Sequence, residues 1–195
     1  MKRKLQIFSL LPVLFGLAAG SLHATSVRTV NLEEMVRYSD RIFWGRCVFQ
    51  ETEVVPGSGM TVRRYRFRVI EGLKGVAAGD MVTFRQVLGF PGKISGVPHY
   101  SKGQELLLFL HGDSRLGLTS PVGMYQGTFK RVKMPGGESG FVNGMTNRNL
   151  AAGLGTRSLS ASLLTGHEMQ VLRSGRPLSL SEMRSMVSKI NFAAR

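Results

Sequence analysis

Cysteine is almost missing from this 195-residue chain: Cys47 stands alone. A lone cysteine excludes an internal disulfide, so stability must come from buried apolar surface, which a chain of this length can supply. Cys47 lies in Phe43-x-Gly45-x-Cys47-x-Phe49. That alternation points all four residues inward, where a free thiol behaves as a small hydrophobe. Acidic residues are also scarce, 12 Asp+Glu against 26 Lys+Arg, and none form a spaced pair suited to acid–base hydrolysis. The four histidines, His23, His99, His111 and His167, are scattered. A zinc site needs three or four convergent ligands, and no compact set exists. His167-Glu168 is followed by Met169, Gln170 and Val171, so the zincin pattern lacks its second histidine. A nucleophile elbow is missing, and Gly75-Val76-Ala77-Ala78-Gly79 lacks the Lys-Ser/Thr of a phosphate loop. These absences imply no metal and no cofactor, and they favour a binding module over an enzyme.

Long apolar runs are limited to one, at the start. Met1-Lys2-Arg3-Lys4 is a positive lead, Leu5 to Ala19 is apolar, and Ser21-Leu22-His23-Ala24 supplies small residues. This three-part order predicts a secretory signal peptide over residues 1–24, cut after Ala24, with cleavage after Gly20 as the alternative. The expected location is secreted or periplasmic, and the mature chain starts at Thr25-Ser26. Later in the chain only 106–110, LLLFL, is strongly apolar, and it is a buried-strand candidate rather than a transmembrane segment. Removing Lys2, Arg3 and Lys4 with the leader leaves 23 basic against 12 acidic residues, a net charge of +11. Such a field favours anionic partners: polysaccharide, lipid head groups, nucleic acid or an acidic protein face.

What is present reads mainly as strands. Residues 25–30 have the pattern of a short first strand. Asn31 followed by Glu34 forms a capping box and opens a helix to about Ser39, with Leu32, Met35 and Val36 on one face. Strands are expected over 41–55 and 60–70, joined by the turn Pro56-Gly57-Ser58-Gly59. In the second strand Arg64, Arg66 and Arg68 alternate with Tyr65, Phe67 and Val69, so the arginines share one face and the apolar side chains the other. Further strands are expected over 80–88, 104–111 and 125–133, with shorter pieces at 116–119 and 141–142. The glycine- and proline-rich loop 89–102 is long enough to suggest a binding purpose, with His99 and Tyr100 as its candidate contacts. Residues 147–162 have linker composition. Ser179 and Glu182 form a second capping box, opening a C-terminal amphipathic helix over about 180–190. The expected division is a β domain over 25–146 and a linker with helical extension over 147–195.

From Tyr38 to Lys133 the order of motifs resembles a group of secreted bacterial proteins and the netrin-like domain of tissue inhibitors of metalloproteinases (TIMP-like). The residues that carry it are Asp40-Arg41-Ile42-Phe43, Val69-Ile70-Glu71-Gly72-Leu73-Lys74-Gly75 and Gly103-Gln104-Glu105-Leu106-Leu107-Leu108. The resemblance implies a five-stranded OB-type barrel with a short N-terminal helix. In that family a mature N-terminal cysteine is presented to the protease zinc. Here Thr25-Ser26-Val27 stands in that place, so only the free amine beside Thr25 and Ser26 remains as a partner contact.

Two binding classes follow. One is a secreted or envelope protein partner, a metalloprotease among them. The other is an anionic polymer held by the arginine face of the second strand: Arg64, Arg66 and Arg68, with Lys74 and Arg85. Its bland alternative is a solvated strand edge. The aromatics Tyr65 and Phe67 fall on the opposite, core face, which counts against stacking of nucleic-acid bases there.

Overall fold

The computed structural model describes residues 28–88, 96–155 and 162–193. The leader, Thr25, Ser26 and the first half of loop 89–102, residues 89–95, lie outside the described residues. Chain order is α1 (Leu32–Tyr38), β1 (Arg41–Val54), β2 (Thr61–Lys74), β3 (Met81–Val87), β4 (Glu105–Leu110), a 3-10 turn at Met124–Gly127, β5 (Thr128–Lys133), β6 (Ser139–Asn143), α2 (Gly166–Ser174), β7 (Leu178–Ser179) and α3 (Leu180–Ala193). All seven strands join one antiparallel sheet in the order β3-β2-β1-β4-β5-β6-β7. Among the described residues no helix is long and apolar enough to cross a membrane.

The fold is mainly β, as the alternation requires, but the sheet is open and has seven strands rather than five in a closed barrel. The reason lies in β4. Leu106, Leu108 and Leu110 face one core, and Leu107 and Phe109 face another. A strand apolar on both sides needs cover on both sides. On one side β1, β2 and β3 curl over Phe43, Cys47, Tyr65, Phe67, Val69, Val82 and Phe84, with Tyr100 closing the cluster. On the other side the helices lie across the sheet: Leu32, Met35 and Val36 of α1, Val171 and Leu172 of α2, and Met183, Met186, Val187 and Ile190 of α3 meet Phe109, Phe129 and Phe141. The sheet therefore extends to β6 and β7 beneath the helices. The 116–119 piece is no strand. It contributes one isolated bridge from Leu118 to Arg85, and Thr119 N–H donates to the Arg85 carbonyl at 2.9 Å.

Both expected capping boxes form. Asn31 accepts from Glu34 N–H at 2.9 Å, and Ser179 accepts from Glu182 N–H at 3.2 Å. A third, Thr165 with Glu168, starts α2. Residues 28–30 are not in a strand. They are held by side chains instead: Gln126 Oε1 accepts from Val30 N–H at 2.8 Å, and Asn149 Nδ2 donates to the Val30 carbonyl at 2.6 Å. Residues 147–155 are successive turns in which Asn147, Asn149, Leu150 and Leu154 are buried.

Candidate functional site

The β1–β2 ladder determines which side chains reach the outer face. Arg46 stands opposite Arg68, and on the next ladder Arg64 stands opposite Arg85. Directly opposed residues of an antiparallel pair share a face. Tyr65, Phe67 and Val69 are buried, while Arg66 and Arg68 are exposed, so the predicted split of β2 into an apolar and an arginine side is observed.

β1 departs from simple alternation. Its pairing runs Cys47 with Phe67 and then Phe49 with Arg66, leaving Val48 unpaired. A bulge of one residue reverses the parity of everything beyond it. Phe43 and Cys47 stay in the core, but Phe49, expected inward with them, is carried to the arginine side. There the guanidinium groups of Arg64 and Arg66 each lie 5.5 Å from the centre of its ring. A cation over an aromatic face is held by the ring quadrupole. Arg131 of β5 sits likewise 5.7 Å over the ring of Trp44. The outer face therefore carries aromatic side chains after all, already stacked with arginine.

Charge on this face is uneven. Glu105 of β4 accepts from Arg46 at 2.6 Å and from Arg131 at 3.1 Å. The hydrogen bond from Arg46 is the main reason its carboxyl titrates below the usual range, with burial opposing and Arg131 assisting. Arg64 pairs with Glu51 at 2.6 Å, and Glu53 bridges Arg64 and Arg85 at 3.4 and 2.5 Å. Arg66 and Arg68 have no acidic partner among the described residues. Arg68 stands across the ladder from Arg46, whose own charge is paired with Glu105.

The remaining candidates sit elsewhere. Lys74, at the far end of β2, donates to the Val36 carbonyl at 2.8 Å and belongs to the α1 junction rather than to the arginine face. His99 is exposed, with Arg63 Nη1 at 2.7 Å and the Tyr65 hydroxyl at 3.1 Å from its Nδ1. Tyr100 is a core residue, its ring packed edge-on against Tyr65 at 4.8 Å and Phe67 at 5.6 Å. Burial raises the hydroxyls of both Tyr100 and Tyr65 above the usual range, Tyr100 the more. Thr25 and Ser26 lie outside the described residues. Phe49, Arg46 and Arg131 are the members sequence reading missed. Arg46 was visible as the outward neighbour of Cys47; Phe49 was not, because nothing in the local pattern marks the bulge.

No family model, no curated protein and no solved structure matches the chain. The function is therefore argued from the surface itself.

Proposed function

We propose that this protein is a secreted or periplasmic binding module without catalytic activity, and that it holds an anionic polymer against the arginine face of its sheet. The observation that carries the reading is the pair Arg66 and Arg68: two exposed arginines on one strand, without acidic partners among the described residues, Arg68 directly across from Arg46. Alternate residues of a strand are about 6.5 Å apart, so Arg66 and Arg68 offer two charges at that spacing, next to Arg64, which Glu51 and Glu53 already pair. Phe49 restrains Arg66 and Arg64. Restrained side chains lose less entropy when an anion binds.

The test is binding of fluorescein-labelled heparin, with oligo-dT as a second probe, followed by anisotropy from low to high salt. Affinity should fall with salt, by about 0.7 in log K per log salt for each charge neutralised on a flexible strand. Arg66→Glu/Arg68→Glu should weaken binding by at least tenfold and flatten that slope. Salt-independent affinity, or a double variant that binds like the parent, refutes the proposal.

A protein partner, in the manner of the netrin-like inhibitors, is the second reading. It draws on the order of motifs from Tyr38 to Lys133 and on the β1–β2 hairpin, where Val54 is 60% exposed. The test is inhibition of a panel of secreted metalloproteases by the mature protein. Inhibition lost on Val54→Asp supports this reading, and no inhibition in the panel removes it.

A further inference from the structure

Among the described residues the sheet ends on β3 and β7. An edge strand carries unpaired N–H and C=O groups that template another strand, and native edges are blunted by shortness, charge, proline or a bulge. β7 is blunt, since it has two residues and runs straight into α3. β3 has seven residues and pairs with β2 in unbroken register. Its outer row begins with Met81 and Thr83, neither charged nor proline. Met81 is 47% exposed, and Thr83 is exposed too.

Hydrogen bonds at the two ends of β3 fix which main-chain groups face outward. In an antiparallel ladder a residue sends its N–H and C=O to the same side, and successive residues alternate. The Asp80 carbonyl accepts from Val69 N–H at 2.9 Å, and Leu88 N–H donates to the Thr61 carbonyl at 3.2 Å, so the even-numbered residues face β2. The odd-numbered residues face away from it. Arg85 is one of them, and its carbonyl accepts from Thr119 N–H at 2.9 Å beside the parallel bridge to Leu118. The segment 118–119 thus covers the second half of this edge. At Met81 and Thr83 the outward N–H and C=O groups take no hydrogen bond from any described residue.

We propose that the edge at Met81–Thr83 takes an extended acidic segment of a partner protein as an added strand. Charge selects the occupant. Met81 stands opposite Arg68 and Thr83 opposite Arg66, so these side chains share the outer face. An added strand lies about 4.8 Å beyond β3 and about 9.6 Å from β2, a span that an arginine and a glutamate side chain cover together. Carboxylates opposite Met81 and Thr83 therefore meet Arg68 and Arg66. The intervening side chains of the added strand fall on the core side next to Val82, which suits apolar residues. The segment that fits alternates acidic and apolar residues. A second copy of this chain fits poorly, because its own β3 edge brings Arg66, Arg68 and Arg85 against the same three arginines. The proposal shares two arginines with the polymer reading but rests on the main-chain edge.

The test is fluorescence anisotropy of the labelled peptide Thr-Glu-Val-Glu-Val-Glu-Thr with the mature chain. Two N-methylated forms are compared, one methylated on the glutamate nitrogens and one on the valine nitrogens. Only one alternate set of N–H groups faces β3, so one form should bind at least tenfold more weakly than the other. Equal binding by the two forms overturns the proposal, because a contact of charge alone ignores which main-chain nitrogens are blocked; so does a parent peptide that fails to bind at millimolar concentration. Replacing the glutamates of the peptide by lysine should abolish binding, and retained binding overturns the acidic occupant. Thr83→Pro removes an N–H that points away from β2, a change an edge strand tolerates. It should lower peptide affinity at least tenfold and leave heparin affinity at the level of the parent. A parent that binds the peptide but not heparin refutes the polymer reading and leaves this one standing. A dimer in sedimentation equilibrium that Thr83→Pro dissolves makes a second copy the occupant and overturns the proposal.

Discussion

Replacing Glu168 with glutamine isolates the charge that fastens α2 to α3. Glu168 is the third residue of α2 and the acidic partner in its capping box. Its oxygens accept from Lys189 Nζ at 2.8 Å each, from Ser185 Oγ at 2.8 Å and from Thr165 N–H at 2.8 Å. Burial raises its carboxyl, but Lys189, the Thr165 backbone and Ser185 together outweigh that and bring it down to about 2. The ordinary glutamate value is near 4.3, so the gap is worth about 3 kcal/mol of folding stability at neutral pH. The sign follows from a folded value below the unfolded one: the contribution is complete above about pH 5 and is lost as pH falls toward 2. On these values about 1.4 kcal/mol remains at pH 3 and about 0.4 kcal/mol at pH 2. Glutamine keeps the shape and the capping acceptor, so Glu168→Gln removes the charge and little else. Urea unfolding of the parent and Glu168→Gln at pH 7, 4.5, 3 and 2.5 measures the difference directly. The variant should be about 2–3 kcal/mol less stable at pH 7 and should converge on the parent below pH 3. A deficit that does not change with pH, or no deficit at pH 7, refutes the assignment.

Two further outcomes follow from the core and the turns. Burial raises the Cys47 thiol, with a weaker opposing contribution from its contact with the Phe49 carbonyl, so the native protein should not react with Ellman's reagent at pH 8, and reactivity should appear along the urea unfolding curve; prompt reaction in buffer would show that the core beneath β1 is open. Gly75 ends β2 with φ 68°, and a Cβ there would collide with the Asp40 carbonyl oxygen, so Gly75→Ala should cost at least about 2 kcal/mol and lower the melting temperature by several degrees; an unchanged thermal scan would contradict this turn.

Much of the fold was legible because short-range patterns carry it. Asn31 with Glu34 and Ser179 with Glu182 mark their helices through bonds that span three residues. The same signature, Thr165 with Glu168, was available for α2 and was overlooked beside the incomplete metal-binding pattern at His167. Alternation placed Tyr65, Phe67 and Val69 inward, and the unbroken run of β4 announced burial on both faces. What covers that second face could not be read, because α1, α2 and α3 reach it from distant parts of the chain.

By itself, the sequence determined the long strands β1 to β4, the terminal helices, the buried free thiol and the separation of arginines from the apolar face of β2, since each depends on neighbours within a few residues. Only the tertiary structure decided that the sheet stays open under a helical layer and that a bulge at Val48 turns Phe49 outward beneath Arg64 and Arg66. Those outcomes depend on register and on contacts between remote segments, and a one-residue slip in register changes the face of every side chain beyond it.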